Sequence, residues 1–154
     1  MIKTFHTHTL IYLRFAQELP TVLAFKISRP VRVITTNSTL TTLNLNGNLI
    51  GPDGAVALSE ALKTNSTLTT LELQRNSIDP DRAVALADAL KTNSALIPLD
   101  TGYNWIGTNG AVALSEALKT NPTLTTLDLR GNSIGVNGAQ ALSNTCNTNA
   151  TWLL

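Results

Sequence analysis

From Leu40 onward the apolar positions change period twice within each 28-residue unit. Leu43 and Leu45 stand two apart, so they share one face of a short extended segment while Thr42, Asn44 and Asn46 share the other. After Ile50 the spacing becomes helical. Ala55, Leu58, Ala61 and Leu62 recur along GAVALSEALKTN (54–65), and Ser59, Glu60 and Lys63 are expected on the opposite side. The same switch starts again at Leu68, Leu96 and Leu124, at equal intervals, and a fifth copy is expected to begin with Trp152 in the leading leucine position. Self-similarity at such a period marks a stacked repeat, one strand and one helix per unit, whose units bury their apolar faces against each other.

Polar residues keep step with this pattern. Asp53, Asp81, Asn109 and Asn137 place a short acceptor ahead of each helix, where it is expected to cap free amides. Lys63, Lys91 and Lys119 fall at the last helical turn, against the negative end of the helix dipole. Asn65, Asn93 and Asn121 follow, where a left-handed residue is expected to lead the chain out of the helix. Asn48, Asn76, Asn104 and Asn132 come just after each strand. A side-chain amide there can bond the neighbouring turn, so the stack is expected to carry an asparagine ladder.

Leu40, Leu43, Leu45, Asn48 and Ile50 form the pattern L-x-x-L-x-L-x-x-N-x-I. It resembles the leucine-rich repeats of the ribonuclease-inhibitor type, including the C-terminal repeats of NOD-like receptors and the Ran GTPase-activating proteins. The resemblance covers Asn37 to Leu154. It implies an α/β leucine-rich-repeat horseshoe, a right-handed β-α superhelix of four 28-residue repeats (40–67, 68–95, 96–123 and 124–151). Parallel strands would line its concave side and helices its convex side. The function it implies is that of a protein-protein interaction module. Two alternatives stand beside it: a Ran-directed type of GTPase-activating protein, with Arg75 or Arg130 reaching toward the phosphates, and a truncated fragment of a longer NOD-like-receptor-type array. The acidic tail of the Ran-directed family and the cysteine-rich character of the ribonuclease inhibitor are both missing.

Residues 1–36 do not repeat the pattern and read as an N-terminal cap or a decayed copy, with a short amphipathic helix expected through Leu10, Leu13 and Gln17 to Leu19, ending at Pro20. His6 and His8 are two apart with no third ligand nearby, so they read as solvated histidines rather than a metal site. The charge is uneven: five basic residues and one acidic precede Asn37, and six basic and nine acidic follow it. Neither part is basic enough to suggest nucleic acid. The longest apolar run, Ala83 to Ala87, is far short of a membrane span. A single cysteine, Cys146, fits a reducing, cytoplasmic setting, and its place in the repeat makes it a core residue rather than a nucleophile. No paired acid and base, phosphate-cradling loop or metal cluster is evident, so neither catalysis nor a cofactor is expected.

Outward strand positions form columns. One reads Asn44, Glu72, Asp100, Asp128; the next Asn46, Gln74, Gly102, Arg130; a third Gly47, Arg75, Tyr103, Gly131. Stacked carboxylates would make a mildly acidic groove suited to a basic segment of a protein partner. A solvated polar face with no partner is the competing reading. The third unit departs most. Thr101 replaces a core leucine, Pro98 lacks an amide for the sheet, and Tyr103 and Trp105 appear where other units carry smaller or polar residues. Two readings of Trp105 remain open: an aromatic hot spot for a partner, or a cover over the weakened core. Candidate partner-binding residues are therefore Asn44, Glu72, Gln74, Arg75, Asp100, Tyr103, Trp105, Asp128 and Arg130.

Overall fold

A computed structural model describes residues 10–12, 34, 37–145 and 150–154. Strands and helices alternate as the changing period predicts: β1 (Leu10–Tyr12), β2 (Thr42–Asn44), α1 (Gly51–Thr64), β3 (Thr70–Glu72), α2 (Pro80–Leu90), β4 (Pro98–Asp100), α3 (Gly107–Leu118), β5 (Thr126–Asp128), α4 (Gly135–Ser143) and β6 (Thr151–Leu153). The six strands form one parallel sheet in sequence order. From β2 to β5 the register advances by one repeat per strand: Leu43 opposes Leu71, Leu71 opposes Leu99, and Leu99 opposes Leu127. Helices pack side by side behind the sheet. Neighbouring strands sit about 4.8 Å apart and packed helices about 8–10 Å, so such a stack bends with its sheet inside.

The core is continuous between sheet and helices. The leucines at 43, 71, 99 and 127 and the helix leucines at 58, 86, 114 and 142 are all buried. Each face thus repeats one residue type at one height, and a unit removed from the stack would expose both of its flanks. The helices also need small residues where they touch. A Cβ on Gly110 would stand 2.7 Å from the Ala83 Cβ, and one on Gly138 would stand 2.9 Å from the Ala111 Cβ. Arg82 holds the same repeat position in α2. It lines a small gap against Ala55, Leu58 and Ile78, with its Nε buried and unpartnered.

The asparagine ladder is present and buried. Asn76 Oδ1 accepts from the amides of Asn48 and Ile50, and Asn104 Oδ1 accepts from those of Asn76 and Ile78. A second ladder stands on the other side of the helices. Asn93 Nδ2 donates to the carbonyls of Leu62 and Asn65, and Asn121 Nδ2 donates to those of Leu90 and Asn93. This corrects the expected left-handed exit: Asn65 is extended (φ −79°, ψ 125°), and its side chain bonds the amides of Thr67 and Leu68. The amide reaches across units and so has a larger task than ending one helix.

Other expectations also shift. Asp53 and Asp81 lie inside the first helical turn, and the cap of α2 is Asp79, whose carboxylate accepts from the Arg82 amide. Ser59 and Ser115 are buried, and each hydroxyl is satisfied by donating to a carbonyl of the preceding helical turn, that of Ala55 and that of Val112. Trp152 opposes Leu127, not the Leu124 position, so the register step is shorter here than a full repeat. The physical cause is in α4, which ends at Ser143, short of the position equivalent to Leu118 at the end of α3. Leu10–Tyr12 is a strand rather than the start of a helix, and Leu10 opposes Thr42 across a step longer than one repeat, which a count at the repeat interval passes over. The expectations for Leu13 and Gln17 to Leu19, for His6 and His8, and for Cys146 lie outside the described residues.

Candidate functional site

Outward residues of β2 to β5 stand on the inner side of the bend, and each strand then enters a turn. There the backbone turns left-handed at Gly47 (φ 67°), Arg75 (φ 56°), Tyr103 (φ 54°) and Gly131 (φ 71°), and again two residues later at Leu49, Ser77 and Ser133. Glycine adopts this freely, whereas a side chain costs about 1 kcal/mol. Arg75 and Tyr103 accept that cost although both are exposed and neither fills the core.

The carboxylates expected to form an acidic groove are individually engaged. Glu72 accepts from the side-chain amides of Asn44 and Asn46 of the preceding unit. Asp100 accepts from Gln74 Nε2 and from the Gly102 amide. Residues 46 and 74 thus serve the carboxylate of the next unit, but Gly102 has no side chain with which to do so. Asp128 takes its own Arg130 instead: the guanidinium Nε lies 3.1 Å from each carboxylate oxygen. Asn46 was not among the candidates, although it occupies the column of Gln74 and Arg130 and its Oδ1 also accepts from the Gln74 amide at 2.7 Å.

Burial raises the Asp128 carboxyl, but hydrogen bonds from the Arg130 side chain and amide, with the Arg130 charge, outweigh it and leave the pKa below 3.8. In return the Asp128 hydrogen bond and charge raise Arg130. A depressed carboxyl stabilises the fold fully above its unfolded pKa and loses that contribution as pH falls through the native value. Asp128→Asn is therefore expected to melt lower than the wild type by a constant margin from neutral pH down to about pH 5, the margin closing only in stronger acid. Melting curves of both proteins across that range test this; a margin that closes above pH 5 would contradict it.

Three consecutive units build a stack beside this lattice. The Arg75 guanidinium lies over the Tyr103 ring, 5.3 Å from its centroid. Tyr103 in turn rests on Gly131, where a Cβ would come within 2.8 Å of the ring. Trp105 is 70% exposed, which rules out the reading that it covers the core. Thr101 instead satisfies itself, its Oγ1 donating to the Asp128 carbonyl at 2.9 Å while fully buried. Pro98 is accommodated because the Ile97 amide already serves the Thr69 carbonyl. Leu49, 53% exposed, occupies the repeat position of Trp105 two units earlier. Its exposure could not be read from a motif in which that position is variable. Among the described residues, no three His, Cys, Asp or Glu side chains gather to hold a metal, and no helix is long and apolar enough to cross a membrane.

The fold and its repeated asparagines define the class, and comparison with known proteins agrees. A leucine-rich-repeat family model matches residues 36–59, 64–87 and 120–143. No curated protein matches the chain. Among solved structures, the "Actin-Binding Site 2" of leiomodin-1 superposes with a TM-score of 0.75 at 25% identity, over 82% of this chain and 77% of that one. The tropomodulin C-terminal domain from Caenorhabditis elegans superposes with a TM-score of 0.72, over 82% of this chain and 80% of its own; at 13% identity this likeness shows the fold alone. The chain thus has a leucine-rich-repeat fold and carries leucine-rich repeats over the matched residues.

Proposed function

We propose that this chain is a protein-binding module that receives an extended partner segment on its concave sheet. The observation that carries the reading is an exposed aromatic pair, Tyr103 and Trp105, beside polar side chains already locked to each other. Exposed aromatics next to a pre-ordered surface bind at low entropic cost. Glu72 and Asp100 have spare lone pairs, which suit the N–H groups of a basic stretch. The likeness to an actin-binding site of leiomodin-1 makes actin the first partner to try. A helix of 9 to 14 residues after each repeat strand also favours the ribonuclease-inhibitor-like subtype. GTPase activation is less well supported, because Arg130, one of its two candidate arginines, is tied to Asp128.

Size limits the affinity. Three outward residues on each of four repeat strands fall short of the roughly 20–30 per side of a stable interface. The turn edge with Leu49 and Trp105 must therefore contribute. Titration of the chain with actin is expected to give saturable binding, and Tyr103→Ala with Trp105→Ala to weaken it about tenfold or more at unchanged melting temperature. Absence of binding would remove actin as the partner. Unchanged affinity in the double variant would remove this face as the site.

A further inference from the structure

Glu72, Asp100 and Asp128 each have a partner within the protein, and so does Arg130. Among the described residues Arg75 has no carboxylate partner; its contact is the face of Tyr103. Yet the molecule goes to some length to hold it. Gly131 leaves the space that the Tyr103 ring fills, and Tyr103 supplies the platform over which the guanidinium sits. A guanidinium held over a ring by its charge spends no N–H on that contact, so its donor fork stays open for a planar, two-oxygen acceptor.

Resting on the protein-binding reading above, we propose that Arg75 is a carboxylate-recognition point, and that the partner segment presents an aspartate or glutamate there beside an apolar side chain. Charge selects the carboxylate. Across the nine candidate residues three acids face two arginines, so a dianion such as a phosphate is disfavoured more than a monoanion. The apolar neighbour follows from Leu49 and Trp105, which are exposed on the same turn edge one unit to either side of Arg75. Arg75 lies in the turn that follows β3, three positions beyond Glu72. The partner would therefore carry a base for Glu72 and an acid for Arg75, which a simple acidic groove would not require.

The test is selection of random twelve-residue peptides from a display library on the immobilised wild-type chain, followed by titration of the selected peptides against Arg75→Gln. That variant keeps a planar polar side chain at an exposed position and is expected to melt with the wild type. The expected result is enrichment of Asp or Glu next to an apolar residue, with affinity at least tenfold weaker for Arg75→Gln. Binders that ignore the substitution, or that carry no acid, overturn the proposal while leaving protein binding intact. Tighter binding when the selected acid is replaced by phosphoserine overturns the choice of a carboxylate. Failure to select any peptide on the wild type overturns both the proposal and the reading it rests on.

Discussion

Asn104→Ala is expected to remove about 4 kcal/mol of stability, enough to leave the chain largely unfolded in mild denaturant. Asn104 Oδ1 serves the amides of Asn76 and Ile78, and its Nδ2 serves the carbonyls of Leu73, Thr101 and Gly102. Two of those carbonyls keep another donor: Thr101 retains Asn132 Nδ2, and Gly102 retains the Arg75 amide. The stranded groups are the two amides and the Leu73 carbonyl, at about 1–3 kcal/mol each. Against a total stability of about 5–15 kcal/mol for a domain, the loss is decisive. Urea unfolding followed by circular dichroism measures it. A loss below about 1 kcal/mol would mean that water enters the ladder and takes the place of the amide.

Gly110→Leu is the second large effect, expected at about 3 kcal/mol. The missing Cβ is what lets α3 close on α2: it would sit 2.7 Å from both the Ala83 Cβ and the Ile106 Cγ2. Those atoms belong to a buried alanine and a buried isoleucine, so neither can swing away, and overpacking of this kind costs about 1–3 kcal/mol or more. Leucine's better helix propensity returns less than about 1 kcal/mol. Thermal melting compares it with Gly47→Ala, whose Cβ would meet nothing and whose cost comes from the left-handed backbone alone. Equal losses at the two glycines would contradict the packing argument. Arg82 shows how a long side chain survives at the same repeat position. It reaches Asp79 at 3.3 Å and leaves a gap beside its stem.

Much of the fold was legible because each unit repeats one switch of period. A two-residue spacing at Leu43 and Leu45 and a helical spacing at Leu58 and Leu62 cannot both belong to one element. Repetition of that switch at a fixed interval then leaves stacking as the way to bury both. Asn48, Asn76, Asn104 and Asn132 were legible for the same reason, since a polar residue recurring beside a core leucine must find backbone partners. The candidate site was legible as columns, because parallel in-register strands place equivalent positions of successive repeats side by side. Elements at the ends were not legible. There β1 and β6, the outer strands of the described sheet, join it off the repeat interval, Leu10 opposite Thr42 and Trp152 opposite Leu127.

The sequence by itself determined the unit, its order of strand and helix, its buried leucines and its internal ladder. These depend on local period and on contacts that every unit makes in the same way. Tertiary structure alone decided which polar groups remain free. The carboxylate of Glu72 is engaged by Asn44 and Asn46, Asp128 turns to Arg130 where Gly102 offers it no partner, and Arg75 is left with an aromatic face. Composition counts charges, but pairing depends on distances of a few ångströms between side chains from different units, and only the stacked molecule sets those distances.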